Sequence, residues 1–158
     1  LLSGLESEIE FDHFSYSFIE DRSAMAKLSR HGYVPAESSK FHALALNSRL
    51  SQLVENKWAM FPDHVVFLGA KALIGDCDAL NTMLKDYENT RPAFIFCKGV
   101  GTFQHASVTR AQIDQLNCFF DVAIRQRDYS KIIKLSEEDI AELLNWDAEK
   151  YRLSIAKI

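Results

Sequence analysis

Two short apolar runs with a helical pattern between them constrain this chain more than any other feature. "HVVFLG" (64–69) and "PAFIFC" (92–97) are rich in β-branched and aromatic residues and bounded by proline or glycine. That pattern favours strands buried on both faces. Between them, "DALNTMLKDYE" (78–88) has helical spacing, with Asp76 or Asp78 in position to cap its first turn. Strand, helix, strand is the unit of a parallel sheet. The predicted fold is therefore α/β, a small, mostly parallel sheet with helices packed on its faces. Further strands must come from weaker segments, "FSYSFI" (14–19) and "KIIKL" (131–135). Beyond the second run, "GTFQ" either turns back as a partner strand or continues past a bulge at Gly99 and Gly101.

The remaining helices announce themselves by spacing and caps. One starts near Asp21, with Ala24, Met25 and Leu28 on one side and Gly32 as its stop. Pro35 marks a loop. Another runs from Asn47 or Ser48 to Lys57 on a stripe of Leu50, Leu53 and Val54, and Pro62 ends anything helical before it. From Ser107 or Thr109 to about Gln126, the residues Ile113, Leu116, Phe120 and Ala123 recur at helical spacing, and Thr109 with Gln112 has capping-box spacing. Ser136, followed by Glu137, Glu138 and Asp139, opens a last helix that runs toward the end of the chain, with a break expected near Asn145 to Asp147. Trp146, Asp147 and Tyr151 read as the anchor of that terminal helix.

Length and charge then exclude whole classes of function. A chain of 158 residues is about one domain. With 47% hydrophobic and 25% charged residues, three Pro and six Gly, its composition is that of a packed globular protein. A net charge of -4 and a pI near 5.7 leave no footprint for nucleic acid. Nothing approaches the roughly 20 apolar residues of a membrane helix, and the expected location is cytoplasmic. Cys77, Cys97 and Cys118 have no CxxC spacing and read as reduced thiols, Cys97 and Cys118 in apolar surroundings. The chain opens Leu1-Leu2-Ser3-Gly4 without Met, in the pattern of the last turns of an amphipathic helix. Residues 1–32 are accordingly expected to be a helical lead-in from a preceding domain, and 33–158 a single α/β domain.

Candidate chemistry is sparse. The histidines His13, His31, His42, His64 and His105 are all more than five residues apart, so neither an HxH pair nor a one-turn pair is present to grip zinc. There is no GxSxG elbow and no phosphate-binding P-loop. "KGVGT" offers GxG after a strand but lacks the third glycine of a dinucleotide fingerprint, so Gly99 and Gly101 serve either a ligand or a tight turn. Asp63 and His64 are an adjacent acid and imidazole, which either contribute to a site or satisfy the local backbone at a strand start. No catalytic residue and no metal ligand is assigned; the candidate binding residues are Asp63, His64, Lys98, Gly99 and Gly101.

Read together and in order, "YVPAESSKFHALAL", "WAMFPDHVVFLGAKAL", "PAFIFCKGVGTF" and "LSEEDIAELLNWDAEKYRLSIAKI" resemble the C-terminal domain of bacterial class II aldolase/adducin-family proteins. The looser pattern also resembles the aldolase half of bifunctional sugar-phosphate aldolase/short-chain dehydrogenases. The resemblance covers about Tyr33 to the end. It implies an α/β fold and a parent lyase of carbohydrate metabolism. It also implies that a divalent metal, typically zinc, is held on histidines of a preceding N-terminal domain, where sugar or sugar-phosphate substrates are cleaved through a metal-stabilised enediolate. Where relatives commonly have Pro before the first glycine of GxG, this chain has Lys98, whose charge faces either a phosphate or solvent.

Two functions follow as expectations. The first is an accessory or assembly domain of a class II aldolase-like protein, inert alone, with the preceding aldolase domain and further copies of the chain (a homo-oligomer) as partners. The second is an independent domain binding a sugar phosphate or nucleotide at the strand ends, where open α/β sheets hold ligands.

Overall fold

The computed structural model describes residues 16–87, 91–146 and 153–156. At its centre is β3 (Phe94–Cys97), four residues that are all buried. Side chains alternate across a strand, and here the alternation sorts them into two separate cores. Phe94 and Phe96 pack in one cluster with Phe41, Leu44, Leu53 and Phe119. Ile95 and Cys97 pack in the other with Leu28, Leu80, Leu84 and Phe103. A strand with both faces covered needs this unbroken apolar run, and the expectation for "PAFIFC" holds.

The sheet among the described residues has four strands in the order β1-β4-β3-β2, with β1 at Tyr33–Pro35, β2 at Leu73–Gly75 and β4 at Gly101–His105. Only β2 and β3 are parallel, with Leu73 opposite Ile95; β4 runs antiparallel to both β3 and β1. The fold is α/β as expected, but the sheet is mixed rather than mostly parallel. The reason is the turn after Cys97, which reverses the chain so that Cys97 faces Gly101 and Phe94 faces Gln104.

Around the sheet, α1 (Arg22–Ser29) and α5 (Cys77–Lys85) cover one face, burying Ala24, Leu28, Leu80 and Leu84. On the other face lie α2 (Ser39–Leu46), α3 (Ser48–Lys57) and α6 (Arg110–Arg125), and α4 (Pro62–Leu68) packs against α6. A seventh helix, α7 (Glu137–Asn145), packs against α4. Capping explains the starts of several. Asp21 accepts from Ala24 N, and Asn47 from the amides of Arg49 and Leu50. Thr109 with Gln112, and Ser136 with Asp139, form reciprocal capping boxes.

The largest departure from the sequence reading is "PDHVVFL", which is helix α4 and not a strand. Phe61, extended as a residue before proline must be, is the N-cap; Pro62 occupies the first helical turn, where its missing N–H costs nothing. Gly69, at φ 90, closes the helix. His64, Val65, Val66 and Leu68 are all buried, so the helix is covered on most sides and lacks the polar stripe that would separate it from a buried strand over seven residues. The strand–helix–strand unit exists, but its first strand is β2, entered after Gly69.

Other expectations fail in identifiable places. "KIIKL" is no strand: a 3-10 turn at Tyr129–Lys131 leads into an extended crossing, tied by Leu135 N donating to Ala59 O at 2.8 Å, with Ile133 88% exposed. Of "FSYSFI", residues 16–19 are described and form no strand, although Ile19 N donates to Val100 O at 2.9 Å. α7 stops at Asn145, and Trp146 is 60% exposed, so it is no buried anchor. Asp147, Tyr151 and the opening "LLSGLESEI" lie outside the described residues. Cys77 and Cys97 are not free thiols but a disulfide, with Cα atoms 5.4 Å apart; Cys118 is free and exposed rather than in the core. Register brings the pair together, because Gly75 lies opposite Cys97 and Cys77 follows two residues later. Among the described residues no helix is long and apolar enough to cross a membrane.

Candidate functional site

The five candidate binding residues do not converge. Asp63 and His64 diverge from the first turn of α4. Asp63 is half-exposed where the helix dipole favours an acid. His64 is completely buried. Its ring meets Trp58 edge-on at 4.2 Å between centroids, with Phe119 at 4.9 Å and Phe61 at 5.4 Å. Among the described residues neither ring nitrogen has a hydrogen-bond partner, and burial lowers the imidazole pKa to about 3. Such a ring stays neutral through the physiological range and is no proton shuttle. Trp58 is itself fixed, its Nε1 donating to Gly69 O at 3.0 Å.

Lys98, Gly99 and Gly101 lie at the β3–β4 turn, on the edge where the parallel pair β2 and β3 ends. Lys98 N donates to Gly75 O at 2.9 Å, and Lys98 Nζ pairs with Glu55 of α3 at 3.0 Å. Gly99 has φ 78 and open space where a Cβ would be; the turn alone demands it. Gly101 is more constrained, for at φ 145 an added Cβ would sit 2.8 Å from His42 Nδ1 and 2.9 Å from Phe18 Cδ2. His42 explains that closeness. Its Nδ1 accepts from Thr102 N at 3.2 Å, so the proton lies on Nε2, and the ring also hydrogen-bonds the backbone of Ala36. Burial lowers its pKa against that second bond. His42 is a satisfied core histidine stitching α2 to β4.

Clefts lie beside these residues rather than on them. One, of about 650 Å³, runs between the end of α3, the segment entering β2 and the start of α7, and is lined by Glu55, Trp58, Lys71, Ile74, Lys134 and Glu137. Through its Glu55 partner, Lys98 stands at the rim of this cleft. Among the described residues Lys71 and Lys134 form no ion pair. A second cleft, of about 800 Å³, lies between α4 and α7; Pro62, Leu135, Leu143 and Trp146 supply apolar walls, Asp139 and Glu142 an acidic rim. A third, of about 330 Å³, joins Arg91 and Thr109 to His105, whose Nδ1 lies 2.6 Å from Ser107 Oγ. Ser107 N donates to the same nitrogen at 3.2 Å, which makes the pair a local turn motif.

Sequence reasoning missed Glu55, Lys71 and Lys134, and no spacing rule could have found them, since three separate segments bring them together. Among the described residues no three His, Cys, Asp or Glu side chains are grouped so as to hold a metal ion; the zinc expectation concerns a preceding domain, not these residues. Comparison of the chain with known protein families, with curated proteins and with solved structures found no match.

Proposed function

We propose that this chain is an accessory, assembly-directed domain of a class II aldolase-like lyase and does not itself carry out aldol cleavage. The supporting sequence is the ordered set of segments around Pro62–Gly69, Lys98–Phe103 and Leu135–Ile158. The observation that carries the reading is α7. It is an amphipathic helix with a complete capping box, yet none of its residues is buried; Leu144 within it is 43% exposed, and Trp146 just beyond it, 60% exposed, lines an apolar cleft. A well-formed helix that leaves a tryptophan in water offers surface for a further domain. The proposed occupant is the metal-bearing aldolase domain.

The test is twofold. Purified chain supplied with sugar phosphates and zinc should show no aldol cleavage; robust turnover abolished by a chelator would sink the reading. Added to a separately produced aldolase domain of this class, it should bind, and Trp146→Ser should weaken that binding at least tenfold while leaving the melting temperature within about 2 °C, since an exposed side chain contributes little to stability.

The cleft at Lys71 and Lys134 favours a second reading, a small anionic ligand such as a sugar phosphate or nucleotide. Two ammonium groups on separate segments, without an ion pair among the described residues and beside the Lys98–Glu55 pair, supply a grip for a phosphate. Calorimetric titration should then give binding that Lys71→Ala with Lys134→Ala removes; no binding by the unsubstituted chain counts against it.

A further inference from the structure

We infer that the Cys77–Cys97 disulfide is a reversible thiol switch that locks β2 and the 98–101 turn onto the sheet when oxidised and releases them when reduced. The bond sits at one of the two short edges of the sheet. Among the described residues β2 is an edge strand of three residues, paired with β3 alone. Beyond its ladder, one backbone bond from Lys98 N to Gly75 O continues the pairing, and the Lys98–Glu55 ion pair is half-exposed. Edge pairings of this length open easily. The disulfide adds the one covalent tie, from the first residue of α5 to the last residue of β3.

The two sulfurs are not equivalent. Cys97 is completely buried in the core beneath α1 and α5, whereas Cys77 is only partly buried at the margin of that core. An incoming thiolate therefore reaches the Cys77 sulfur first. The attack forms a mixed disulfide on Cys77, breaks the Cys77–Cys97 bond and expels Cys97 as a thiolate, which takes a proton from water. A second thiol of the reductant then attacks the reductant's own sulfur in that mixed disulfide, leaving Cys77 as a thiol and the reductant as a disulfide. The protein gains two electrons and two protons, and two thiols of the reductant lose them. The reductant class is a cellular thiol, either a small thiol such as glutathione or a protein dithiol.

Most of the molecule does not depend on the bond. The core beneath α2, α3 and α6 contains neither cysteine, and β1, β4 and β3 are joined by antiparallel ladders. Reduction is thus expected to loosen a corner and leave the domain folded. That corner includes one wall of the 650 Å³ cleft, through Lys71, Ala72 and Ile74, but the switch stands whatever the cleft binds.

The experiment uses the whole chain with Cys118→Ser, which removes the exposed third thiol. Thiols are counted by alkylation and mass in mixtures of reduced and oxidised glutathione, and amide exchange is followed in both end states. The expected result is a reversible change between zero and two free thiols, with exchange at residues 73–79 and 98–101 at least tenfold faster in the reduced form and unchanged in α6. With each remaining cysteine alone, Cys77 should react with a disulfide reagent at least tenfold faster than Cys97. Two free thiols that oxidised glutathione cannot join would overturn the switch. A bond that reduced glutathione cannot open short of global unfolding, or reduction without any change in exchange at the two segments, would do the same.

Discussion

His64 is the residue whose environment departs furthest from what its chemistry prefers. A neutral imidazole carries one N–H, and here that donor finds only aromatic rings. Leaving such a group unsatisfied costs roughly 1–3 kcal/mol. The depressed pKa also sets a pH dependence. Because the folded value is about 3 against 6.5 unfolded, the unfolded chain binds the extra proton between those limits. Stability therefore falls as pH drops through 6.5, and the loss is complete below about 3. From pH 7 to pH 5 this amounts to about 2 kcal/mol, readable by urea denaturation. His64→Phe should flatten the profile, leaving the smaller contribution of His42, whose pKa is lowered in the same direction. A second comparison separates turn geometry from packing. Gly99→Ala should cost about 1 kcal/mol for its left-handed backbone alone, while Gly101→Ala, which also drives a methyl into His42 and Phe18, should cost about 3 kcal/mol. Neither histidine's environment was legible in the sequence: Trp58 and Phe61 close on His64 only once the chain turns into α4, and Phe119 for His64 and Thr102 for His42 come from far along the chain.

Among the elements, those with a cap and several turns were readable and the short ones were not. Thr109 and Gln112 identified the start of α6, Ser136 that of α7, and Asn47 that of α3. Thr109→Ala should accordingly lower stability by about 1 kcal/mol, half of a reciprocal cap, as measured by thermal melting. α4 was misread because its evidence is ambiguous at seven residues. Proline bars helix before itself and welcomes helix after itself, and an apolar run fits either state. β1 and β2 are three residues each, and only their neighbours make them strands. α2, "SKFHALAL", is nearly all buried on one side and the other, so it lacks the polar stripe by which a surface helix is recognised.

For the molecule as a whole, the layer arrangement was legible and the strand directions were not. The α/β class followed from the βαβ unit, which survives with β2 as its first strand; the sheet became mixed because a three-residue connection, 98–100, returns the chain beside itself. The covalent tie between Cys77 and Cys97 was invisible for the same reason that the clefts were, since it depends on register. With the two cysteines 20 residues apart, closing that loop in the unfolded chain is worth about 3 kcal/mol. Replacing both by Ser should lower the unfolding free energy by about that amount, with the far-UV spectrum retained.

The strand order carries one more consequence. A mixed sheet of four strands has two open borders, and a neighbouring chain can extend a sheet only by finding a row of unspent amides there. At the β1 border that row is three residues long and contains Pro35, which has no amide hydrogen to give. Among the described residues, this border thus has one donor fewer to offer a neighbouring strand. Replacing Pro35 by Val would restore the missing donor beside Val34, itself 47% exposed, and should make edge-to-edge association of copies at this border easier, as read by light scattering.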